Sequence, residues 1–191
     1  PDGLSEYEYL NEVNRLLSKN KVYRSYIGMG YYNTCIPSVI LRNIFENPGW
    51  YTAYTPYQAE ISQGRIEALL NFQTMIVGLT GMPLANASLL DEATAAGEMM
   101  LMFFHSRTRE QIKNDVKKYF VSEDVFAHSI GVMKTNAAPQ GIELVIGDAD
   151  KVELDDTFFG AMVQYPNQHG EVHDFTEFVK KAKAHNIFVG V

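Results

Sequence analysis

Residues 50 to 64 read WYTAYTPYQAEISQG, a run of aromatic rings set among hydroxyl, amide and carboxylate side chains. Tyr54, Thr55, Tyr57, Gln58 and Glu60 surround Pro56, and Tyr31, Tyr32 and Asn33 form a second such group upstream. Residues of these types can enclose a polar ligand. The ring excludes water while the hydroxyl bonds a carboxylate, a phosphate or another side chain. Pro56 fixes its own φ and biases Thr55 to extended backbone, which would hold Tyr54 and Tyr57 on either side. Six of the eleven tyrosines (Tyr26, Tyr31, Tyr32, Tyr51, Tyr54 and Tyr57) fall in this part of the chain. The competing reading is core packing with every hydroxyl bonded. Because the stretch is too polar for core and alternates neither as strand nor as helix, its pattern predicts a loop that lines a site.

Other chemistry is weaker. His169-Gly-Glu-Val-His173 spaces two histidines as a metal pair would, but Gly170 and the preceding YPNQ place His169 in a loop. A zinc-peptidase motif also needs Glu beside the first His. A solvated loop, with Asp174 capping the next helix, fits better. The small residues from Asp91 to Gly97, after Asn86-Ala87-Ser88, could form a phosphate cup at a helix N-terminus, with Ser88 and Thr94 supplying hydroxyls. The alternative is close helix–sheet packing with Asp91 as the cap; it is favoured because Asp91 and Glu92 would repel a phosphate. Gly28 and Gly30 suit a tight turn or a close backbone approach, and lack the third glycine of a dinucleotide fingerprint. Cys35, the single cysteine, has no neighbours that would activate a nucleophile and is expected to be a small buried apolar residue. None of the ten lysines has the apolar pocket that a Schiff base needs; Lys117-Lys118 and Lys180-Lys181 are solvated pairs, and Lys134 is no better placed.

Composition narrows the class. The 191 residues are enough for one sizeable core or a lobe of something larger, and 46% hydrophobic with 20% charged is ordinary for a globular protein. A net charge of -7 argues against a nucleic-acid surface, and no basic amphipathic stretch suggests a membrane one. One cysteine leaves no internal disulfide framework, which fits a reducing cytoplasm or an organelle matrix. The start at Pro1 and the end in an apolar strand, IFVGV, are expected of an excised fragment.

These residues need elements to position them. SEYEYLNEVNRLLS predicts a helix over 5–18 behind a Ser5 cap, with Leu10, Val13 and Leu17 at helical spacing and Asn20 near the stop. Pro37 opens a second helix that Asn47-Pro48-Gly49 breaks. A third runs from Gly64 to Thr80, with Ile66, Leu69, Leu70, Ile76 and Val77 on one side and Gly81 as the stop; a fourth starts near Asp91. The remainder alternates. VKKYFVS, GIELVIGD, TFFGAMVQYP and IFVGV read as strands; VFAHSIGVMKTNAAPQ and DFTEFVKKAKAHN read as helices, the latter with Phe175, Phe178, Val179 and Ala182 on one face. Alternation of this length means α/β with a largely parallel sheet. The division expected is a helical arm with the Tyr-rich loop over 1–82 and the start of an α/β large domain over 83–191.

The segment YIGMGYYNTCIPSVILRNIFENPGWYTAYTPYQAEISQGRIEALLNFQTMIVGLTGMPLANASLLDEATAAGEMM closely resembles the N-terminal half of glycine dehydrogenase (decarboxylating), the P-protein family of the glycine cleavage system. The resemblance covers essentially all 191 residues, and TAYTPYQ-x-E-x-SQGR and ANASLLDE-x-TAA are its most specific signatures. It implies a pyridoxal 5'-phosphate enzyme of the aspartate aminotransferase-like fold type I. Such an enzyme decarboxylates glycine and passes the aminomethyl group to the lipoyl arm of the H-protein. It further implies two related halves, fused or separate, of which only the second carries the cofactor lysine. The first would hold no catalytic residue in this stretch and would support its partner's active site. Two alternatives stay open: a non-catalytic scaffold or regulatory homologue, and another fold type I enzyme using a Pro-Asn-x-x-Gly loop at Pro166 to Gly170. The Tyr-rich arm disfavours the last.

Overall fold

The computed structural model describes residues 3–29, 31, 33–51 and 59–191, with Tyr51 and Ala59–Gln63 described in backbone only. The chain divides into two compact units, Pro1–Thr34 and Cys35–Val191, and each is described by itself.

In the first unit, Ser5 caps helix α1 (Glu6–Leu17) through a reciprocal capping box. Glu8 N donates to Ser5 Oγ at 3.4 Å and Ser5 N donates to Glu8 Oε2 at 3.0 Å, so two otherwise orphaned amides are satisfied. The helix ends at a Ser18 cap, ahead of Asn20. Gly28, at φ 65°, makes the expected tight turn, with Tyr31 N donating to Gly28 O at 3.0 Å. Gly30 lies outside the described residues.

The second unit departs from the sequence reading at its start. Pro37 is the cap of α2 (Ser38–Ile40) rather than its first residue, and the helix continues as a π-helical turn over Leu41–Phe45 and stops ahead of Asn47, as expected. Pro48 then begins a single turn, α3 (Pro48–Tyr51), in the first position that tolerates it. Helix α4 (Ala59–Thr80) begins earlier than Gly64. The expectation of a loop over 50–64 is therefore corrected at both ends: Trp50 and Ala59–Gly64 are helical. Leu69 and Leu70 do not share the covered side with Ile66, Ile76 and Val77; both are exposed. Gly81, at φ 70°, stops α4 as expected, its amide donating to Val77 O at 2.9 Å. Cys35 is exposed, which overturns the buried assignment: it sits in irregular chain with no core around it.

Four parallel strands, β1 (Lys118–Ser122), β2 (Glu143–Gly147), β3 (Phe158–Met162) and β4 (Phe188–Gly190), form a sheet in the order β2-β1-β3-β4. Strand alternation, interrupted in β3 by a register shift between the partners of Lys118 and Tyr119, sorts the side chains onto two faces. Tyr119, Val121, Phe159 and Met162 meet α5 (Glu92–His105) and α7 (Ala127–Ala137) in one core. Phe120, Phe158 and Ala161 meet Ala182 and Phe178 of α8 (Thr176–Ala184) in the other. A short helix, α6 (Arg109–Lys113), precedes β1. The small residues that open α5 serve contact with a neighbouring helix rather than with the sheet alone: a Cβ at Gly97 would collide with the Asn136 side chain of α7. Helices on both faces of a parallel sheet are the α/β class that the alternation predicted.

Candidate functional site

Chain order turns back on itself between β1 and β3: β1 connects outward to β2 on one side, and β3 onward to β4 on the other. In such sheets the crevice beyond the carboxyl ends of these two strands is where a ligand sits. Here that crevice is lined by the turn after β1 (123–126) and the loop after β3 (163–175).

The chain bridges this crevice with its own side chains. Phe126 N, at the entrance to α7, donates to Gln164 Oε1 at 3.0 Å, and Gln164 Nε2 donates to Pro166 O at 3.1 Å. Gln168 spans the same gap: its backbone N donates to Asp124 O at 3.0 Å and its Nε2 to Glu123 O at 3.2 Å. Asn167 is buried at the centre of the loop, where its Oδ1 accepts the amides of His169 and Glu171, each at 2.9 Å. Its Nδ2 donates to Glu171 Oε2 at 2.9 Å. That bond, with one from His173, holds the Glu171 carboxyl below the usual range. The peptide between Tyr165 and Pro166 is cis.

The neighbouring helix start is also self-satisfied. Thr94 N donates to Asp91 Oδ1 at 2.7 Å, the cap that the sequence reading favoured, and this bond holds Asp91 below its ordinary value. Ser88 is exposed and Thr94 half-buried. Glu92 Oε1 lies 2.8 Å from His128 Nε2, and the His128 ring stacks on Phe126 at 5.4 Å. Glu92's own amide, then His128, lowers its carboxyl.

The histidine pair does not converge. His173 Nε2 lies 3.3 Å from Glu171 Oε2, whereas His169 faces Asp124 at 4.0 Å. Among the described residues no group of three ligating side chains could hold a metal. Asp174 caps α8 from one residue outside its N-cap, Phe175, by accepting Thr176 N at 2.9 Å.

A pyridoxal phosphate does not fit the residues of this crevice. Two carboxylates stand at the helix start where its phosphate would need amides, Gln164 and Gln168 fill the gap its ring would need, and none of the ten lysines is buried.

Of the residues singled out in sequence, Tyr32, Tyr54, Thr55, Tyr57 and Gln58 lie outside the described residues. Glu60 belongs to the first turn of α4, and Tyr31 and Asn33 are exposed in the first unit. Sequence reasoning missed Gln164 and Gln168; the signal was two amides flanking Pro166-Asn167 at the end of an apolar strand. It also missed Arg65, whose Nη2 donates to Gly49 O at 2.7 Å and Trp50 O at 2.6 Å.

The family model described as glycine cleavage system P-protein matches residues 1–191, and the chain belongs to that family. It is 55% identical over 187 residues to the glycine dehydrogenase (decarboxylating) of Flavobacterium johnsoniae, covering 98% of this chain and 20% of the relative. To that of Nostoc sp. it is 53% identical over 191 residues, covering all of this chain and 19% of the relative. The chain thus spans about a fifth of the length of these curated relatives. A crystal structure of glycine decarboxylase (P-protein) of the glycine cleavage system, in inhibitor-bound form, superposes with a TM-score of 0.82 at 28% identity. That superposition covers 99% of this chain and 43% of that one. The fold is fold type I, as the resemblance implied.

Proposed function

We propose that this chain is a non-cofactor portion of a glycine cleavage P-protein that supports glycine decarboxylation at an active site supplied by the rest of the protein. The observation that carries the reading is the crevice between β1 and β3, bridged by Gln164 and Gln168 where a cofactor-holding half needs space. The exposed Leu70, Met75 and Leu79 of α4 support it further, as apolar surface of the kind a partner covers.

In this reading residues 1–82 are the arm with the Tyr-rich stretch, and residues 83–191 begin the α/β large domain. The second half, fused or separate, holds pyridoxal phosphate, which supplies an electron sink for the electrons released when CO2 leaves. The lipoylated H-protein takes the aminomethyl group. The isolated chain is inactive. The setting is the bacterial cytoplasm or an organelle matrix; no described helix is long and apolar enough to cross a membrane.

Tyr54, Thr55, Tyr57, Gln58 and Glu60 line the mouth of the partner's glycine pocket and keep water from it, and Tyr31, Tyr32 and Asn33 are lining residues of the same kind. The test is Tyr54→Phe and Tyr57→Phe in the full-length protein, assayed by glycine–CO2 exchange with H-protein. Loss of a hydrogen bond to a charged group costs about 1.5–3 kcal/mol, or about tenfold to a hundredfold in rate. Cofactor content and melting stay near wild type. Wild-type rates in both variants, or losses explained by unfolding, would sink the reading.

A further inference from the structure

The loop after β3 reaches across to the turn after β1 and is held by bonds of two kinds. Those that Gln164 and Gln168 make with Phe126, Asp124 and Glu123 join amides alone and are indifferent to pH. The others can titrate. His169 Nε2 stands 4.0 Å from Asp124 Oδ1, on the same turn residue whose carbonyl accepts Gln168 N. His173 Nε2 stands between two groups of opposite kind, 3.3 Å from Glu171 Oε2 and 3.4 Å from Asn167 Nδ2.

An amide nitrogen only donates, and an ionised carboxylate only accepts. Neutral His173, with its proton on Nδ1, offers a lone pair to Asn167. Protonated His173 turns an N–H toward Glu171 instead. The second contact is the shorter and joins opposite charges, while Asn167 keeps its own 2.9 Å bond to the same carboxylate oxygen. Protonation therefore adds an ion pair to the loop at the loss of one long amide contact.

The field around these histidines is mixed. Glu123 and Asp124 face the loop from the turn after β1. Lys151, on the connection after β2, is held charged first by Asp148 and more weakly by Glu123. Lys180 and Lys183 of α8 line the groove beside His173 together with Asp174, and Lys180 pairs with Glu177 at 2.6 Å. Within the loop the attraction between acid and histidine is visible in Glu171. Its carboxyl is held low by Asn167 first, then by His173, with His169 adding to the effect.

We propose that residues 163–175 form a strap over the β1–β3 crevice that protons tighten, His169 gripping Asp124 and His173 gripping Glu171 as the pH falls. Histidine is the side chain that changes charge between about pH 5 and 8, so the strap responds near neutrality.

The test is amide hydrogen exchange of the full-length protein at about pH 6 and pH 8, with labelling times scaled to the intrinsic rate. Peptides covering 123–126 and 163–175 are read against a peptide of β1. The loop of the wild type is expected to be about twofold to tenfold better protected at the lower pH, the scale of two exposed ion pairs. His169→Gln and His173→Gln keep a hydrogen-bonding amide and lose the charge; each removes part of that ratio and together they remove all of it. Asp124→Asn combined with Glu171→Gln removes it from the acid side. Equal protection at the two pH values in the wild type overturns the proposal. A double histidine variant that keeps the wild-type ratio also overturns it, because other groups then carry the response. If that variant exchanges faster in the β1 peptide as well, its fold is damaged, and the Asp124 and Glu171 double variant decides by the same ratio.

Discussion

Tyr119 of β1 and Gly160 of β3 face each other in register, so tightly that a Cβ on the glycine would stand 2.7 Å from Tyr119 Cε2. The Phe103 ring closes the same space from α5, at 3.2 Å. All the atoms in the way belong to aromatic rings in or beside the core, which cannot swing aside as the tip of a lysine can.

Gly160→Ala is therefore expected to destabilise the chain by overpacking, at about 1–3 kcal/mol. Chemical denaturation followed by circular dichroism measures it. A variant as stable as wild type would show that the strand pair can shift to make room.

Tyr119 presents the opposite case. Its side chain is fully buried, and among the described residues its hydroxyl has no hydrogen-bond partner. Burial pushes the phenol pKa up. An unsatisfied buried hydroxyl costs about 1–3 kcal/mol, so Tyr119→Phe should leave the melting temperature unchanged or raise it. A clear drop would mean that the hydroxyl finds a partner in solution.

The Asp91 cap carries a pH signature. Hydrogen bonding from Thr94 holds the folded carboxyl below its ordinary 3.8. A depressed folded value means the stabilisation is complete above the unfolded value and fades as pH falls through the folded one. Asp91→Ala should then be less stable than wild type at pH 7, with the gap narrowing toward pH 3 and below. Urea melts across that range test the sign, and Asp91→Asn, a cap without the charge, should show little of the dependence.

No lysine is buried in a pocket, and the β1–β3 crevice is filled by Gln164 and Gln168. Borohydride reduction of this chain with pyridoxal phosphate should fix no stoichiometric label on any of its ten lysines. Peptide mapping reads the result. One lysine labelled to completion would overturn the assignment of this portion as cofactor-free.

The α/β half was legible because periodicity there is dictated by burial on two faces: Tyr119 and Phe120 point into different cores, and Phe178 and Ala182 fall on one side of α8. The caps at Ser5 and Asp91 were legible because side-chain chemistry fixes them locally. The stop of the second helix before Asn47 was legible too, but the helical turn Pro48–Tyr51 was not. The turn of α3 is held by Arg65, fifteen residues from Trp50, and no local propensity reports such a tether. The crevice was only half legible. The Pro166-Asn167 loop could be read, but the bonds across it from Gln164 to Phe126 and from Gln168 to Asp124 and Glu123 depend on β3 lying beside β1, a fact of topology.

The strand order has a consequence for the growing polypeptide. Proteins emerge from synthesis N-terminus first, and residues 118–147 complete a strand–helix–strand unit in which β1 can already pair with β2. The opposite edge of β1 must wait for β3, which arrives only after β2 and its following connection have been made. Gln164 and Gln168 come later still. Until they leave the ribosome, the nascent sheet carries a bare edge along β1 and the amide of Phe126 has only water to answer it, so this is the interval in which a chaperone or a stray strand meets the chain.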